Sequence, residues 1–345
     1  MRKRGFTLVE LLTVITVLTV LMTLMVLGTG CAVMGDQRDK CRLNIQRLVL
    51  GLQNYHDTFL SLPYGARNRT VPPAEEVSWG SSWIVGVLPY CEQKPLFDAI
   101  VQVDKDGAPN DYVSAVVLAT TAGKDLSTFL CPSSPLPKTQ NVAGTALVVP
   151  SYAGVMGSQL PNDSRVTAGP YGGNAAGNGM LPLNEALTFA ACTDGTANTI
   201  LLGEVSNWYY DDAGKKQDPS LSIGNGTTGG WLAGTNRGMS AQKQPLGVFG
   251  AGADPVPADQ VYNLITLKYA PQANNKDGAA NQTTPNWGSG GVGRAGLNNP
   301  LLSPHGPGAL VAYLDGHITL LTNNVSADTV QKLAARDDGQ AIPDF

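Results

Sequence analysis

Twenty-five consecutive residues, Leu11 to Gly35, carry no charge, and they follow a basic start at Arg2, Lys3 and Arg4. Within that run, Leu11 to Leu27 holds only apolar residues and four threonines. About 20 apolar residues suffice to cross the hydrocarbon layer as a helix. A basic flank keeps the residues ahead of it on the cytoplasmic side. One acid, Glu10, stands at the start of the run. A carboxylate carried towards the bilayer centre costs ~2.5–3.5 kcal/mol, so Glu10 calls for a partner.

Several kinds of N-terminus share a basic cap and an apolar core. A secretory signal peptide has an apolar core of only ~7–15 residues and no acid inside it. A lipoprotein signal would use Gly28-Thr29-Gly30 ahead of Cys31, but Leu27 stands one position too far away. An uncleaved anchor leaves Glu10 without a purpose. The segment Gly5-Phe6-Thr7-Leu8-Val9-Glu10-Leu11-Leu12 resembles the class III signal of type IV prepilins and type II secretion pseudopilins. The resemblance implies that a prepilin peptidase cuts between Gly5 and Phe6 and that Phe6 becomes N-methylated. It also implies that Glu10 meets the N-terminal ammonium of a neighbouring subunit. A carboxylate and an ammonium inside a bundle offset each other's desolvation, whereas either alone is costly. On this basis residues 1–5 are a leader and 6–30 a transmembrane helix.

The helical pattern continues beyond the apolar run. Cys41, Ile45, Leu48, Leu52, Tyr55 and Phe59 recur at spacings of four and three, which is one face of a helix. Leu60-Ser61-Leu62-Pro63 closes it. Residues 31–60 are therefore an amphipathic continuation, and the rod from Phe6 to Thr58 is roughly 80 Å long. Gly28, Gly30 and Gly35 weaken it near the membrane exit, at about 1 kcal/mol each relative to alanine.

From Pro63 onward, short apolar runs alternate with Gly, Pro, Asn and Asp, the pattern of strands and long loops. Gly 40 and Pro 23 fill nearly a fifth of the 345 positions, and only 14% of residues are charged. This composition excludes a helical bundle or a coiled coil. The expected strands are Trp83 to Pro89, Ser127 to Cys131, Ala146 to Tyr152, Thr199 to Val205, Gly247 to Phe249 and Leu264 to Lys268. Pro271 to Leu302 is expected to be a long surface excursion. Leu310 to Leu314 and His317 to Leu321 flank Asp315-Gly316, a two-residue hairpin signal. Val325 to Arg336 is expected to form a terminal helix with Ser326 as its N-cap. The fold class is α+β and pilin-like: a long N-terminal helix packed on an antiparallel β-sheet domain with long loops, spanning residues 61–345.

Several segments resemble a group of bacterial prepilin-like proteins whose soluble domain has no known function. They are Cys41 to Ile45, Asn54 to Phe59, Trp83 to Pro89 with Glu92-Gln93, Phe129 to Ser133, Ser151 to Gly154 and Asp194 to Glu204. His305 to Ala309 followed by Leu314-Asp315-Gly316 resembles the group's C-terminal His…Asp-Gly signature. Ala197 replaces a usual serine, and the order at Gly306-Pro307 is reversed.

Sites for chemistry are few. His305, Asp315 and His317 could form a metal trio if a hairpin gathers them, the alternative being that Asp315 serves the turn. Asp104, Asp106, Asn110 and Asp111 have the oxygen-rich look of a calcium loop, but the twelfth position is Ala115 where a bidentate acid belongs. Glu204 ends an apolar strand as a buried acid with no partner visible in the sequence. Five cysteines leave at least one unpaired, and Cys91 with Cys131 is one disulfide that an extracytoplasmic domain permits. No nucleophile, metalloprotease or phosphate-loop motif occurs, so no catalysis is expected. A net charge of −4 without a basic block beyond Arg4 argues against nucleic acid. The expected role is a structural subunit of a type IV pilus-like or pseudopilus-like filament. Its partners are the prepilin peptidase, other subunits, the assembly platform and the bilayer. The alternative is a non-polymerising, membrane-anchored module that binds a solute or glycan.

Overall fold

The computed structural model of the protein describes residues 8–71, 76–105, 112, 114–142, 144–168, 173–211, 213–217, 230–235, 261–273, 292 and 297–342. Side chains at 21, 23–36, 69–71, 76–78, 103–105 and 115 are outside that description. The first element, α1 (Leu8–Phe59), is 52 residues long, about 78 Å at ~1.5 Å per residue. Its two ends lie in different surroundings. Leu8, Val9, Leu11, Leu12, Val14, Ile15, Val17, Leu18 and Val20 are exposed around the whole circumference. Further along, Cys41, Ile45, Leu48, Val49 and Leu52 are buried, while Lys40, Arg42 and Arg47 face water. Leu60 takes a left-handed φ of 57°, and its N–H donates to the His56 carbonyl, which stops the helix just ahead of Pro63. Among the described residues no helix is long and apolar enough to cross a membrane.

After α1 the chain forms a hairpin of β1 (Ala66–Val71) and β2 (Glu76–Ser82). Three helices follow, α2 (Trp83–Val87), α3 (Lys94–Lys105) and α4 (Ala115–Thr121). A second hairpin pairs β3 (Thr139–Val142) with β4 (Thr145–Val148). Next come β5 (Tyr152–Ser158) and the small pair β6 (Val166–Ala168) and β7 (Asn174–Ala176). Then follow β8 (Ile200–Glu204), the short pair β9 (Tyr209–Tyr210) and β10 (Lys216–Gln217), and β11 (Leu264–Leu267). The chain ends with β12 (Gly308–Tyr313), β13 (Ile318–Thr322) and α5 (Ala327–Ala334).

The central sheet runs β11-β5-β8-β12-β13. Its interior pairs are antiparallel, but β11 joins the edge of β5 in parallel. That departs from a purely antiparallel sheet. After β8 the chain leaves the sheet at Glu204 and returns beside β5 only at Leu264, and so long a connection allows either direction. Both faces of the sheet are covered. Leu310 and Ala312 of β12 and Leu202 of β8 pack with Ile45, Leu48 and Leu52 of α1. Ala309, Val311 and Tyr313 point the other way, to Val330, Leu333 and Ala334 of α5. Strands buried on both sides read as unbroken apolar runs, which explains Ala-Leu-Val-Ala-Tyr and Ile-Leu-Leu-Gly.

The structure corrects several expectations. Trp83 to Pro89 is α2 followed by a 3-10 turn at Leu88–Tyr90, not a strand. Trp83, Ile84, Val85, Val87 and Leu88 are all buried, so the run carries no alternation to separate strand from helix. Ser127–Phe129 is likewise a 3-10 turn. The run Ala146 to Tyr152 breaks around Pro150, where β4 ends and β5 begins. Gly247 to Phe249 lies outside the described residues. The Pro271 to Leu302 segment is anchored in the interior at both ends, because Gln272, Leu297, Asn298, Asn299, Leu301 and Leu302 are buried. The C-terminal hairpin has a three-residue loop, with Tyr313 N–H donating to the His317 carbonyl and only Gly316, at φ 95°, in the left-handed region. Gln53 of α1 donates to the Leu314 carbonyl at that tip. Ser326 caps α5, accepting from the Thr329 N–H at 3.0 Å.

Arg165 fastens the loop after β5 to the C-terminal segment. It donates to Asp163 through Nε at 3.0 Å and Nη2 at 2.9 Å, and to Asp337 through Nη1 at 2.8 Å and Nη2 at 2.7 Å. Partial burial pushes the Asp163 carboxyl up, but bonds from Arg165 and Asn178 more than reverse this and hold it below its usual range. Arg165→Ala is expected to cost about 1–3 kcal/mol at neutral pH. A depressed carboxyl contributes stability that is full above its unfolded pKa and is lost as pH falls through the folded one. The difference between variant and parent should therefore shrink in acid, which urea unfolding at neutral and acid pH would measure.

Candidate functional site

Two regions carry the chemistry: the N-terminal end of α1, and a cluster of side chains where α1 meets the sheet. Gly5 and Phe6 lie outside the described residues. Glu10 lies in the first turns of α1 and is exposed, among Leu8, Val9, Leu11, Leu12 and Val14. Thr13 and Thr16 donate their hydroxyls back to the carbonyls of Glu10 and Thr13. These threonines are thereby satisfied within the helix, and the outer surface of this stretch stays apolar.

The second region starts from Cys41, on the buried stripe of α1. It is disulfide-bonded to Cys131, with the two Cα atoms 5.0 Å apart. This corrects the Cys91–Cys131 pairing, since Cys131 is taken by α1 and Cys91 remains a free, buried thiol. Cys91 fills the notch left by Gly51 on α1, where an added Cβ would come 3.0 Å from its sulfur. Burial, with a smaller contribution from Glu92, pushes that thiol up to about 12, so it is inert at physiological pH. Asn44 of α1 donates to the Leu130 carbonyl at 2.8 Å, and the Tyr152 hydroxyl donates to the Cys41 carbonyl at 3.0 Å. Helix, Cys131 loop and β5 are thus locked together around the disulfide.

His305 approaches the same point, its Nε2 3.2 Å from the Cys131 sulfur and 3.9 Å from Oε1 of Glu204. Glu204, the last residue of β8, is fully buried. Its Oε1 accepts from the Ser206 hydroxyl at 2.5 Å and its Oε2 from the Leu310 N–H at 3.3 Å. Burial pushes the Glu204 carboxyl up to about 7 against the pull of hydrogen bonds from Ser206, Ser303 and Leu310 and of the Arg38 charge. Burial, then Arg38, lowers the His305 imidazole. The loop carrying His305 is held by Gln272, whose Nε2 donates to the carbonyls of Ser303, Gly306 and Gly308 at 2.7, 3.1 and 2.9 Å.

The trio of His305, Asp315 and His317 does not assemble. His305 precedes β12 and Asp315 follows it, so the six-residue strand separates them by roughly 20 Å. Asp315 instead serves its own turn: Oδ1 accepts from the His317 N–H at 3.0 Å and lies 2.6 Å from His317 Nδ1. His317 stacks on Tyr313 at 4.1 Å. The third histidine, His56, accepts from the Phe189 N–H at 3.3 Å and stacks on its ring. Of the calcium-loop residues, Asp106, Asn110 and Asp111 lie outside the described residues, as does the side chain of Asp104. Cys31 is likewise without a described side chain.

Sequence reasoning placed Glu204 alone, whereas the fold gives it His305 and Cys131 as neighbours. The signal was present in fragments. Cys41, Cys131, Glu204 and His305 each sit in one of the short stretches that stood out along the chain, but nothing in the spacing says that the four stretches meet. A separate cleft of about 370 Å³ lies near the C-terminal end of α1. Its walls include Tyr55, Tyr64, Arg67, Tyr90, Phe97 and Tyr112.

A helix whose first turns are apolar on every side apart from Glu10, and whose later turns are stitched into a sheet domain, is the form of a prepilin-type protein. The prokaryotic N-terminal methylation motif matches residues 1–26. The chain belongs to the family described as protein of unknown function (DUF1559), which matches residues 38–328. No curated protein and no solved structure matches it.

Proposed function

We propose that the protein is a structural subunit of a type IV pilus-like or pseudopilus-like filament, without catalytic activity of its own. The observation that carries this is the change of character along α1. Every described large apolar side chain from Leu8 to Val20 is exposed, while Cys41, Ile45, Leu48 and Leu52 are buried in the domain. Apolar surface of that extent needs lipid or other helices around it. Before assembly it lies in the bilayer, with residues 6–30 as the spanning segment. The described side chains alone fall short of a span, and the uncharged sequence from Leu11 to Gly35 supplies the rest. After assembly the same surface packs against neighbouring subunits in the filament core. A prepilin peptidase removes residues 1–5 and Phe6 is N-methylated. The new ammonium of one subunit then answers Glu10 of the next. The domain stands on the extracytoplasmic side, where the Cys41–Cys131 disulfide can form.

Mass spectrometry of the N-terminus of protein purified from membranes tests this. N-methyl-Phe6 is expected. An intact Met1 would point to a simple anchor, and an acylated Cys31 to a lipoprotein. The aromatic cleft favours a second reading, a membrane-anchored module that binds a small solute. Arg67, which donates to the Tyr112 hydroxyl at 3.3 Å, places a guanidinium on its wall that suits a polar group.

A further inference from the structure

We propose that Cys41, Cys131, Glu204 and His305 are the ligands of a divalent transition-metal ion of the zinc class, bound when the two cysteines are thiols. One ligand atom from each residue lies within 4.8 Å of the other three. The four come from separate parts of the chain: α1, the loop after the 3-10 turn at Ser127–Phe129, the end of β8 and the loop ahead of β12. A tetrahedral centre with Zn–S of ~2.3 Å and Zn–N and Zn–O of ~2.0–2.2 Å has ligand–ligand edges of roughly 3.3–3.8 Å. The Nε2–Sγ distance of 3.2 Å and the Nε2–Oε1 distance of 3.9 Å bracket that range.

A disulfide by itself asks for none of this company. A carboxylate with no exposure is costly in a core unless it is paired or holds a metal, and Glu204 is completely enclosed. Two sulfurs, an imidazole nitrogen and one carboxylate oxygen suit zinc and its neighbours, and they are too soft a set for calcium or magnesium. Two thiolates and a carboxylate against a dication leave one negative charge, and Arg38, one turn before Cys41, acts electrostatically on Glu204 and His305. The ligands are also held from outside. Ser206 and the Leu310 N–H fix Glu204, the Tyr152 hydroxyl fixes the backbone at Cys41, and Gln272 fixes the His305 loop. Partners of this kind orient metal ligands.

Cys41 and Cys131 are buried and the His305 side chain is only 6% exposed, so four protein ligands close the centre and leave no position for a substrate. The ion is structural. Binding converts two thiols to two metal thiolates and releases two protons, with one more released from Glu204 in chains where its carboxyl starts protonated. The disulfide uses the same two sulfurs, so ion and disulfide exclude each other, and either one fastens α1 to the domain at the same place.

The test is a cobalt(II) titration of the full-length chain in detergent. A water-soluble phosphine first opens the disulfide to two thiols and becomes the phosphine oxide, with its oxygen taken from water. One cobalt per chain is expected, with a thiolate-to-cobalt charge-transfer band, tetrahedral d–d bands, and loss of both on adding zinc. The unreduced chain should give neither. His305→Ala and Glu204→Gln should each weaken binding at least tenfold, roughly the lower limit seen when supporting groups are lost. If the dithiol chain loses its circular dichroism without metal, cobalt or zinc must restore it. The proposal is overturned if the folded dithiol chain gives no charge-transfer band, or if metal fails to restore an unfolded one. It is equally overturned if Cys131→Ser keeps the band at full intensity or His305→Ala binds as tightly as the parent.

Discussion

Glu10→Val should leave the protein in the membrane fraction, cut after Gly5 and N-methylated at Phe6, while its recovery as polymer collapses. Valine removes the carboxylate from the apolar stretch of α1, so insertion becomes easier by up to ~2.5–3.5 kcal/mol, less for a residue near the interface. On the proposed assembly, what is lost is the partner for the Phe6 ammonium of the neighbouring subunit. Removing one member of a buried ion pair costs ~3–5 kcal/mol, because the other charge stays behind uncompensated. That weakens each subunit contact by at least roughly a hundredfold. Glu10→Gln keeps the shape and a hydrogen-bonding oxygen but not the charge, and should also fail to assemble. Shearing and sedimentation of polymer, beside an immunoblot of the membrane fraction and the mass of the N-terminal peptide, reads all three quantities. Normal polymer yield from either variant would remove Glu10 from assembly. A fall in membrane protein or in processing would mean that the residue acts earlier.

Different parts of this fold were open to the sequence to different degrees. The stripe from Cys41 to Leu52 was legible because a helix with one buried face repeats its apolar residues every three or four positions. β8, β11, the C-terminal hairpin and the Ser326 cap were legible for similar local reasons. Trp83 to Leu88 was not, since a run buried on every side shows no period. The pairing of Cys41 with Cys131 joins residues 90 apart in sequence, and no local pattern selects Cys131 over Cys91. The same holds for Glu204 and His305, brought together only because β8 and β12 are neighbours in the sheet. Least legible were the buried amides. Asn178, Gln272 and Asn298 sit in segments rich in Asn, Gln and Gly that look solvated, and Asn263 stands just ahead of an apolar strand, yet each is buried and bonded to backbone from distant loops. With so many Gly and Pro residues, long stretches have no ladder to satisfy their carbonyls, and side-chain amides take that role.

Asn263 shows how much such a residue carries. It takes a left-handed φ of 65° just ahead of β11. Its Nδ2 donates to the carbonyls of Gly230, Trp231 and Ala233 at 3.2, 3.3 and 3.0 Å. Its own carbonyl accepts from the Trp83 indole at 2.9 Å and from the Gly154 N–H at 3.0 Å. One residue thereby ties α2, β5 and segment 230–235 to the start of β11. Asn263→Ala removes the donors and leaves buried carbonyls unsatisfied, at ~1–3 kcal/mol each. Alanine also tolerates the left-handed region less well than asparagine, by roughly 1 kcal/mol. A total loss of about 3–5 kcal/mol is expected. Asn263→Gly keeps the backbone conformation free of strain and loses only the donors, so it should be milder than alanine by about 1 kcal/mol. Asn263→Asp turns an acceptor towards three carbonyls and should be the most damaging at neutral pH, because a buried carboxylate without a donor is costlier than a missing amide. Urea unfolding of the full chain, followed by tryptophan fluorescence, ranks the three. The order glycine, alanine, aspartate in rising cost follows from the donors and φ together. Equal losses for glycine and alanine would mean that the left-handed backbone adds nothing, and losses below 1 kcal/mol for both would mean that water replaces the amide.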